Sequence, residues 1–126
     1  MEAKMEHYMR GWKLYGEQKH AQAMAEYNKA LEIDPDWVDA IAGLSMAQMH
    51  AGLLDDAIAN GLRMVELDPE DPFAHTNLSM FYQRKNMIDE AEAEGAKARM
   101  LSWKQELKTN PNAPPPGPAG SMPIQQ

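Results

Sequence analysis

Histidines are the first side chains of this sequence to consider for chemistry. Its four histidines could bind zinc or act as general bases; they are His7, His20, His50 and His75. None of them is part of a zinc-binding pattern with another histidine or with a glutamate. The sequence therefore predicts no metal site, and we expect the histidines to lie on the surface or at helix ends.

Nucleophilic and cofactor-dependent chemistry also lacks its usual residues. The sequence has no cysteine, which excludes a thiolate zinc site, an iron–sulfur cluster and a cysteine nucleophile. It contains no nucleophile elbow, no phosphate-binding loop and no dinucleotide fingerprint. The sequence thus predicts that the protein is not an enzyme and has no cofactor.

Charge and hydropathy restrict the partners. The 126 residues include 12 Lys and Arg against 19 Asp and Glu, a formal charge of −7, whereas a nucleic-acid groove needs a basic stripe. No apolar run approaches the roughly 18–20 residues of a membrane span, and the charged start of the chain has no signal-peptide core. We expect a cytoplasmic protein that neither binds nucleic acid nor inserts directly into a membrane.

Proline separates a helical part of the chain from its last 18 residues. Six of the nine prolines lie in residues 109–126, which carry no charge. Upstream, Pro35, Pro69 and Pro72 punctuate stretches rich in alanine, methionine, leucine and glutamate, which favour helix. We expect an all-α domain over residues 1–108. A proline-rich, uncharged tail that buries little surface should follow over residues 109–126.

A 34-residue repeat sets the spacing of these helices. Pro35 and Pro69 are 34 residues apart, and small or apolar residues recur at the same step. The recurring sets are Ala23, Ala57 and Ala91; Gly11, Ser45 and Ser79; Ala30, Met64 and Ala98; and Ile33, Leu67 and Leu101. Small residues suit close helix contacts and proline suits a helix end, so each repeat should be one helix pair.

At these positions the sequence resembles the tetratricopeptide repeat family. The resemblance implies three repeats, over about residues 4–37, 38–71 and 72–105, and six helices stacked in a right-handed superhelix, an α-solenoid. The family's large aromatic residue is Tyr27 in the first repeat but Gly61 and Gly95 in the others, where we expect closer helix packing. Trp103 replaces the third closing proline, so the last helix should extend through Leu107 and cover the exposed end of the stack.

The resemblance also implies a concave groove that holds a partner peptide. Its lining comes from one face of each first helix, and nine of its twelve residues are apolar or aromatic. These candidate partner-binding residues are Met5, Tyr8, Trp12, Tyr15, Asp39, Ala42, Met46, Met49, Phe73, Thr76, Met80 and Gln83. The alternative is that the same side chains form the core of a small solenoid that closes upon itself.

The groove composition argues against one use of this scaffold. Family members that grip the acidic C-terminus of heat-shock chaperones need Lys, Asn and Arg in the groove. The corresponding residues here are Tyr8, Trp12, Gly43, Phe73 and Asn77. Because none of them is basic, we do not expect a carboxylate clamp.

The sequence is therefore interpreted as an adaptor or scaffold that binds an apolar or amphipathic segment of another protein in its concave groove. One alternative is a permanent subunit of a larger complex, with the tail lying on a neighbouring subunit. In an extended conformation of roughly 3.1 Å per residue the tail would reach about 55 Å, and the apolar residues Met122 and Ile124 stand near its end. Another alternative is a holding chaperone for an exported apolar substrate. The identity of the partner and the oligomeric state are not encoded in the repeat pattern.

Overall fold

The computed structural model describes residues 2–117, and this part of the chain contains six α-helices and no strand. The helices are α1 (Ala3–Gly16), α2 (His20–Ile33), α3 (Val38–His50), α4 (Leu54–Leu67), α5 (Pro72–Arg84) and α6 (Ile88–Glu106). The predictions of an all-α fold, of six helices and of an extended last helix are confirmed. No helix in residues 2–117 is both long enough and apolar enough to cross a membrane.

The chain divides into two compact units. The first runs to Pro69 and contains α1 to α4, and the second begins at Glu70 and contains α5, α6 and the residues that follow. In the first unit, α1 packs against α2, α2 against α3 and α3 against α4. In the second unit, α5 and α6 form an antiparallel pair.

A residue in the left-handed backbone conformation closes the turn inside each helix pair. Gln18, Gly52 and Asn86 have φ values of 63°, 84° and 64°, and they are spaced by the 34-residue repeat. In each turn the next amide donates to a carbonyl in the last turn of the preceding helix, which satisfies a helix-end carbonyl. These bonds are Lys19 N to Leu14 O (2.9 Å), Leu53 N to Gln48 O (2.8 Å) and Met87 N to Tyr82 O (2.8 Å).

The core of the first unit is built around Tyr27. Its side chain is 1% exposed and packs with Ala23, Leu44 and Ala47. Burial, and then the neighbouring Tyr8 and Tyr15, raise the pKa of Tyr27 to about 12. The phenol is therefore neutral at physiological pH and acts as a large packing group.

The second unit buries apolar side chains of α5 against alanines of α6. Leu78 and Phe81 of α5 are fully buried, and Ala91 and Ala98 of α6 are only 6% and 7% exposed. Asp71 caps α5 by accepting a hydrogen bond from the Phe73 amide (2.9 Å), and Pro72 occupies the first turn. These features fix where α5 begins and which side of it meets α6.

Candidate functional site

The predicted groove residues on α1 divide into packed and exposed side chains. The Tyr8 ring lies 5.9 Å from Tyr27 and 4.8 Å from Trp37, measured between centroids. The Tyr15 ring lies 5.5 Å from that of His50. Trp12, between the two tyrosines on the same side of α1, is 69% exposed. Helix α1 thus presents one large free ring beside tyrosines that neighbouring elements hold in place.

The residues predicted on α3 show the same mixture. Met49 is 3% exposed and belongs to the core. Ala42 and Met46 are partly buried, and Asp39 is exposed. Burial, and secondarily the charge of Asp39, raise the pKa of Tyr8, and helices α1 and α3 contact each other. Residues of α1 and α3 therefore share one surface, as the spacing of the repeat requires.

The residues predicted on α5 border a pocket. Phe73 is 53% exposed, outside the pocket. Thr76, Met80 and Gln83 line a pocket of about 340 Å³ between α5 and α6, together with Ser79, Gly95, Ala98 and Arg99. Gly95 occupies the repeat position of Tyr27, 68 residues later, so no aromatic ring fills this space.

Two further pockets extend this cavity along α6, and we call the three together the α5–α6 groove. One, of about 210 Å³, lies toward the start of the helix and includes Ile88, Ala91 and Glu92. The other, of about 280 Å³, lies toward its end and includes Ser102, Trp103 and Glu106. Arg99 borders all three pockets, and its guanidinium has no ion-pair partner among residues 2–117.

The first residues of the proline-rich tail lie against the end of this groove. The Trp103 indole N–H donates to the carbonyl of Ala113 (2.9 Å), and Ala113 is 6% exposed. Pro114 and Pro116 line the 280 Å³ pocket. A turn after α6 thus returns Ala113 to the helix and leaves Pro116 partly buried, while the other described residues of the tail stay exposed, in line with the expectation that the tail buries little surface. Met122 and Ile124 lie outside the described residues.

Two histidines form contacts that the sequence analysis missed. His75 is 6% exposed, and its Nδ1 lies 2.5 Å from Glu94 Oε2, so it belongs to the α5–α6 contact rather than to the surface. His7 makes the same contact with Glu26 at 2.7 Å. In both pairs the glutamate follows the histidine by 19 residues, and the pairs are two repeat lengths apart. That double spacing is the signal that could have revealed them.

Glu26 is the centre of a small charged cluster on the first unit. Besides His7, the side chains of Arg10 (3.8 Å) and Lys29 (3.7 Å) approach its carboxylate. The hydrogen bond from His7, with smaller contributions from Lys29 and Arg10, lowers the pKa of Glu26 against the opposing effect of burial. The cluster joins α1 to α2 and is explained by this structural role.

The other two histidines stack face to face. The rings of His20 and His50 are 5.0 Å apart with an interplanar angle of 13°, and Tyr15 packs beside both. No group of three histidine, aspartate or glutamate side chains in residues 2–117 is arranged to hold a metal ion. The stack thus contributes an aromatic contact between α1, α2 and α3.

A sequence profile of the tetratricopeptide repeat matches residues 14–59, which span about the last two thirds of the first repeat and the first two thirds of the second. The helix pairs repeat at the 34-residue step of that family on both sides of the match. Over residues 14–59 the chain therefore matches the tetratricopeptide repeat family. Among curated proteins, none matches the sequence significantly.

Solved structures support the same repeat fold. A crystal structure of MamA superposes with a TM-score of 0.77 at 20% identity, covering 82% of this chain and 61% of MamA. The type III secretion translocator chaperone SycD of Yersinia enterocolitica gives 0.76 at 20% identity, covering 85% of this chain and 82% of SycD. The second repeat domain of Spaghetti (RPAP3), bound to an HSP90 peptide, gives 0.73 at 17% identity, covering 79% and 93%. At these identities the likeness establishes the fold alone.

Proposed function

We propose that this tetratricopeptide repeat protein is a non-catalytic adaptor that binds an apolar or amphipathic segment of a partner protein. The binding surface is the one shared by α1 and α3, which we call the Trp12 surface; it consists of Met5, Tyr8, Trp12, Asp39, Ala42 and Met46. The observation that carries the proposal is the 69% exposure of Trp12. It is the most exposed of the large apolar side chains described.

The neighbours of Trp12 suit it to be an anchor. Tyr8 is held by two aromatic contacts, so little of its side-chain freedom is lost when a partner binds. Met46, on α3, has a flexible and polarizable side chain that adapts to an apolar surface. Tryptophan and tyrosine are enriched among the residues that contribute most to interface energies. Together these properties favour burial of an apolar side chain from the partner.

The charges near the Trp12 surface favour binding of an apolar segment over binding of an acidic peptide. Lys4 is the basic residue nearest the start of α1, and it is already paired with Asp34 (2.9 Å) and lies over the Trp37 ring (5.3 Å to the centroid). Asp39 is exposed on the surface and carries the opposite charge. Asn77, one of the positions matching a carboxylate clamp, is only 2% exposed. We therefore expect a neutral or basic partner segment.

The structural neighbours show two ways in which this fold is used. One is described as bound to an HSP90 peptide, and another as a translocator chaperone. The likeness to SycD, which extends over 82% of that chain, favours a holding chaperone as the second candidate function. A permanent subunit would differ from both by a fixed stoichiometry that persists in salt.

The test compares three versions of the full chain as bait: the parent, Trp12→Ala, and Met100→Ala as a control. Met100 is half exposed on α6 and lies outside the Trp12 surface. After mass spectrometry of captured proteins, the Kd of each candidate segment is measured as a synthetic peptide. Trp12→Ala should weaken binding by about 1–3 kcal/mol, roughly 5- to 150-fold, and Met100→Ala should not.

Equal affinities for the parent and Trp12→Ala would contradict the proposed surface. Binding that weakens steeply between low and high salt would contradict the apolar mode, because screening affects charge pairs far more than apolar burial. A substoichiometric client that is released to a membrane-bound secretion apparatus would support the chaperone over the adaptor.

A further inference from the structure

The α5–α6 groove is an open cavity that the proposed function does not use. Its largest pocket, about 340 Å³, is more than twice the volume of a cavity of about 150 Å³ that accommodates benzene. In the first unit the equivalent space holds the ring of Tyr27, with Gly11 and Gly43 on either side. In the second unit the floor is Gly95, and a methyl group placed there would still be 3.4 Å from Ser79 Oγ and from Arg99.

We propose that the chain's own residues 118–124 occupy this groove, with Met122 or Ile124 in the pocket beside Gly95. The described part of the tail already enters the groove. Trp103 holds the carbonyl of Ala113, and Pro114 and Pro116 line the nearest pocket. Two more pockets continue toward the start of α6, beyond the last described residue.

The tail is long enough for the distance that it must cover. Trp103, Arg99 and Gly95 follow one another at four-residue steps on one side of α6. At 1.5 Å per residue, Trp103 and Gly95 are about 12 Å apart along the helix. Pro116 lines the pocket that also includes Trp103 and Arg99, and six residues connect it to Met122, which at roughly 3.1 Å per residue reach about 19 Å. Met122 can therefore reach the pocket without unwinding any helix.

The hydrogen-bonding chemistry of the groove is also complementary. A proline-rich segment offers backbone carbonyls and few N–H groups, so it needs donors rather than acceptors. Trp103 already supplies one donor to this segment. Arg99, one turn earlier on α6, supplies further N–H groups that no described carboxylate occupies. The tail carries no charge, so its burial requires no ion-pair partner.

The absence of cysteine allows a direct test in the full chain. A nitroxide is attached at Ser121→Cys, which leaves Met122 and Ile124 unchanged, and paramagnetic broadening of backbone amides is measured by NMR. The amides of Ser79, Gln83 and Gly95 should lose most of their intensity. In Met122→Ser/Ile124→Ser with the same label, the intensity should return, because the apolar side chains hold the tail in place.

A variant with a filled pocket provides a second test. Gly95→Phe puts a ring where the first unit has Tyr27, and it should restore the intensities of Ser79 and Gln83. Broadening that persists in this variant would overturn the proposal, because the tail would then lie elsewhere. Should Gly95→Phe fail to fold, the Met122→Ser/Ile124→Ser comparison decides alone, since those substitutions follow α6 in the sequence and leave the residues of all six helices unchanged.

A mixed sample identifies the source of the tail. Isotope-labelled protein without nitroxide is combined with unlabelled protein that carries it. No broadening in the mixture supports the proposed intramolecular contact, whereas broadening would show that the tail binds a second copy and would overturn it. Absence of broadening in every sample also overturns it. Because Trp12 is unchanged throughout, none of these outcomes depends on the adaptor proposal.

Discussion

The faces of two helix pairs in this protein differ at one repeat position. In the first unit, Tyr27 fills the space between α1, α2 and α3 and is 1% exposed. In the second unit, Gly95 stands at the same position of its repeat and a pocket of about 340 Å³ lies beside it. A repeat position that is filled by a core side chain in one helix pair thus borders an open pocket in another, where the aromatic ring is missing.

The two glycines beside Tyr27 show how completely that ring uses its space. A Cβ added at Gly11 would lie 2.9 Å from the ring, and one added at Gly43 would lie 2.6 Å from it. Both distances are too short for real carbon contacts, so the ring is confined from two sides. At Gly95 the equivalent distances are 3.4 Å, to atoms at the ends of side chains.

Removal of the Tyr27 ring should give the largest change in stability. Tyr27→Ala leaves a cavity between three helices and should lower the free energy of unfolding by about 3–5 kcal/mol. Urea unfolding followed by circular dichroism measures the total, and native-state hydrogen exchange assigns it to amides of α1 to α3. A loss below about 1 kcal/mol would mean that Tyr27 is not the centre of this core.

Addition of an aromatic ring at Gly95, in the second unit, should change the free energy of unfolding moderately and in the opposite direction. Gly95→Phe replaces a mid-helix glycine and covers apolar surface in the pocket, so it should raise the free energy of unfolding by about 1–2 kcal/mol. The comparison is made in the Met122→Ser/Ile124→Ser background, so that displacement of the tail does not contribute. A decrease of similar size would show that the pocket closes in solution.

The smallest expected effect on stability comes from the charged cluster around Glu26 in the first unit. The pKa of Glu26 is lowered below its ordinary value of 4.5 in the folded protein, chiefly by the hydrogen bond from His7. The folded state therefore binds this proton less readily, and the resulting stabilisation is complete above pH 4.5 and is lost as the pH falls through the lower, folded-state pKa.

Denaturant unfolding at a series of pH values between 6 and 3 checks this linkage. Glu26→Gln should lose less stability over this range than the parent, because it has no carboxylate to protonate. Glu32→Gln, which changes an exposed glutamate of the same helix, should follow the parent. Identical slopes for all three proteins would contradict the role of the His7 contact.

Repeat spacing made most of the fold predictable. The 34-residue step located the helix pairs, and the closing prolines located their ends, because helix geometry and proline sterics act locally. The extension of α6 through Glu106 followed from the missing third proline. The left-handed conformation of Gln18 was harder to predict, because a glutamine gives no local signal for a positive φ.

The binding surfaces were harder to predict because they depend on contacts between helices. Periodicity placed Trp12 and Met49 on equivalent faces, yet Trp12 is exposed and Met49 is buried. The contact of His75 with Glu94 and the return of Ala113 to Trp103 both join residues from different elements. Neither contact has a spacing that a search within one helix would reveal.

One pair of substitutions tests the contrast between the two faces most directly. Gly43→Ala and Gly95→Ala each add one methyl group inside a helix, with Gly16→Ala as a control at a glycine that has nothing within 4 Å. The measurement is the free energy of unfolding of each variant relative to the parent.

The methyl at residue 43 meets the confined Tyr27 ring, so Gly43→Ala should destabilise the protein by about 1–3 kcal/mol. The methyl at residue 95 meets only the ends of the Ser79 and Arg99 side chains, at 3.4 Å, so Gly95→Ala should stabilise the protein by about 0.5–1 kcal/mol through helix propensity. Gly16→Ala should stay within about 0.5 kcal/mol. Changes of the same sign and size at residues 43 and 95 would contradict the account of a filled face and an open one.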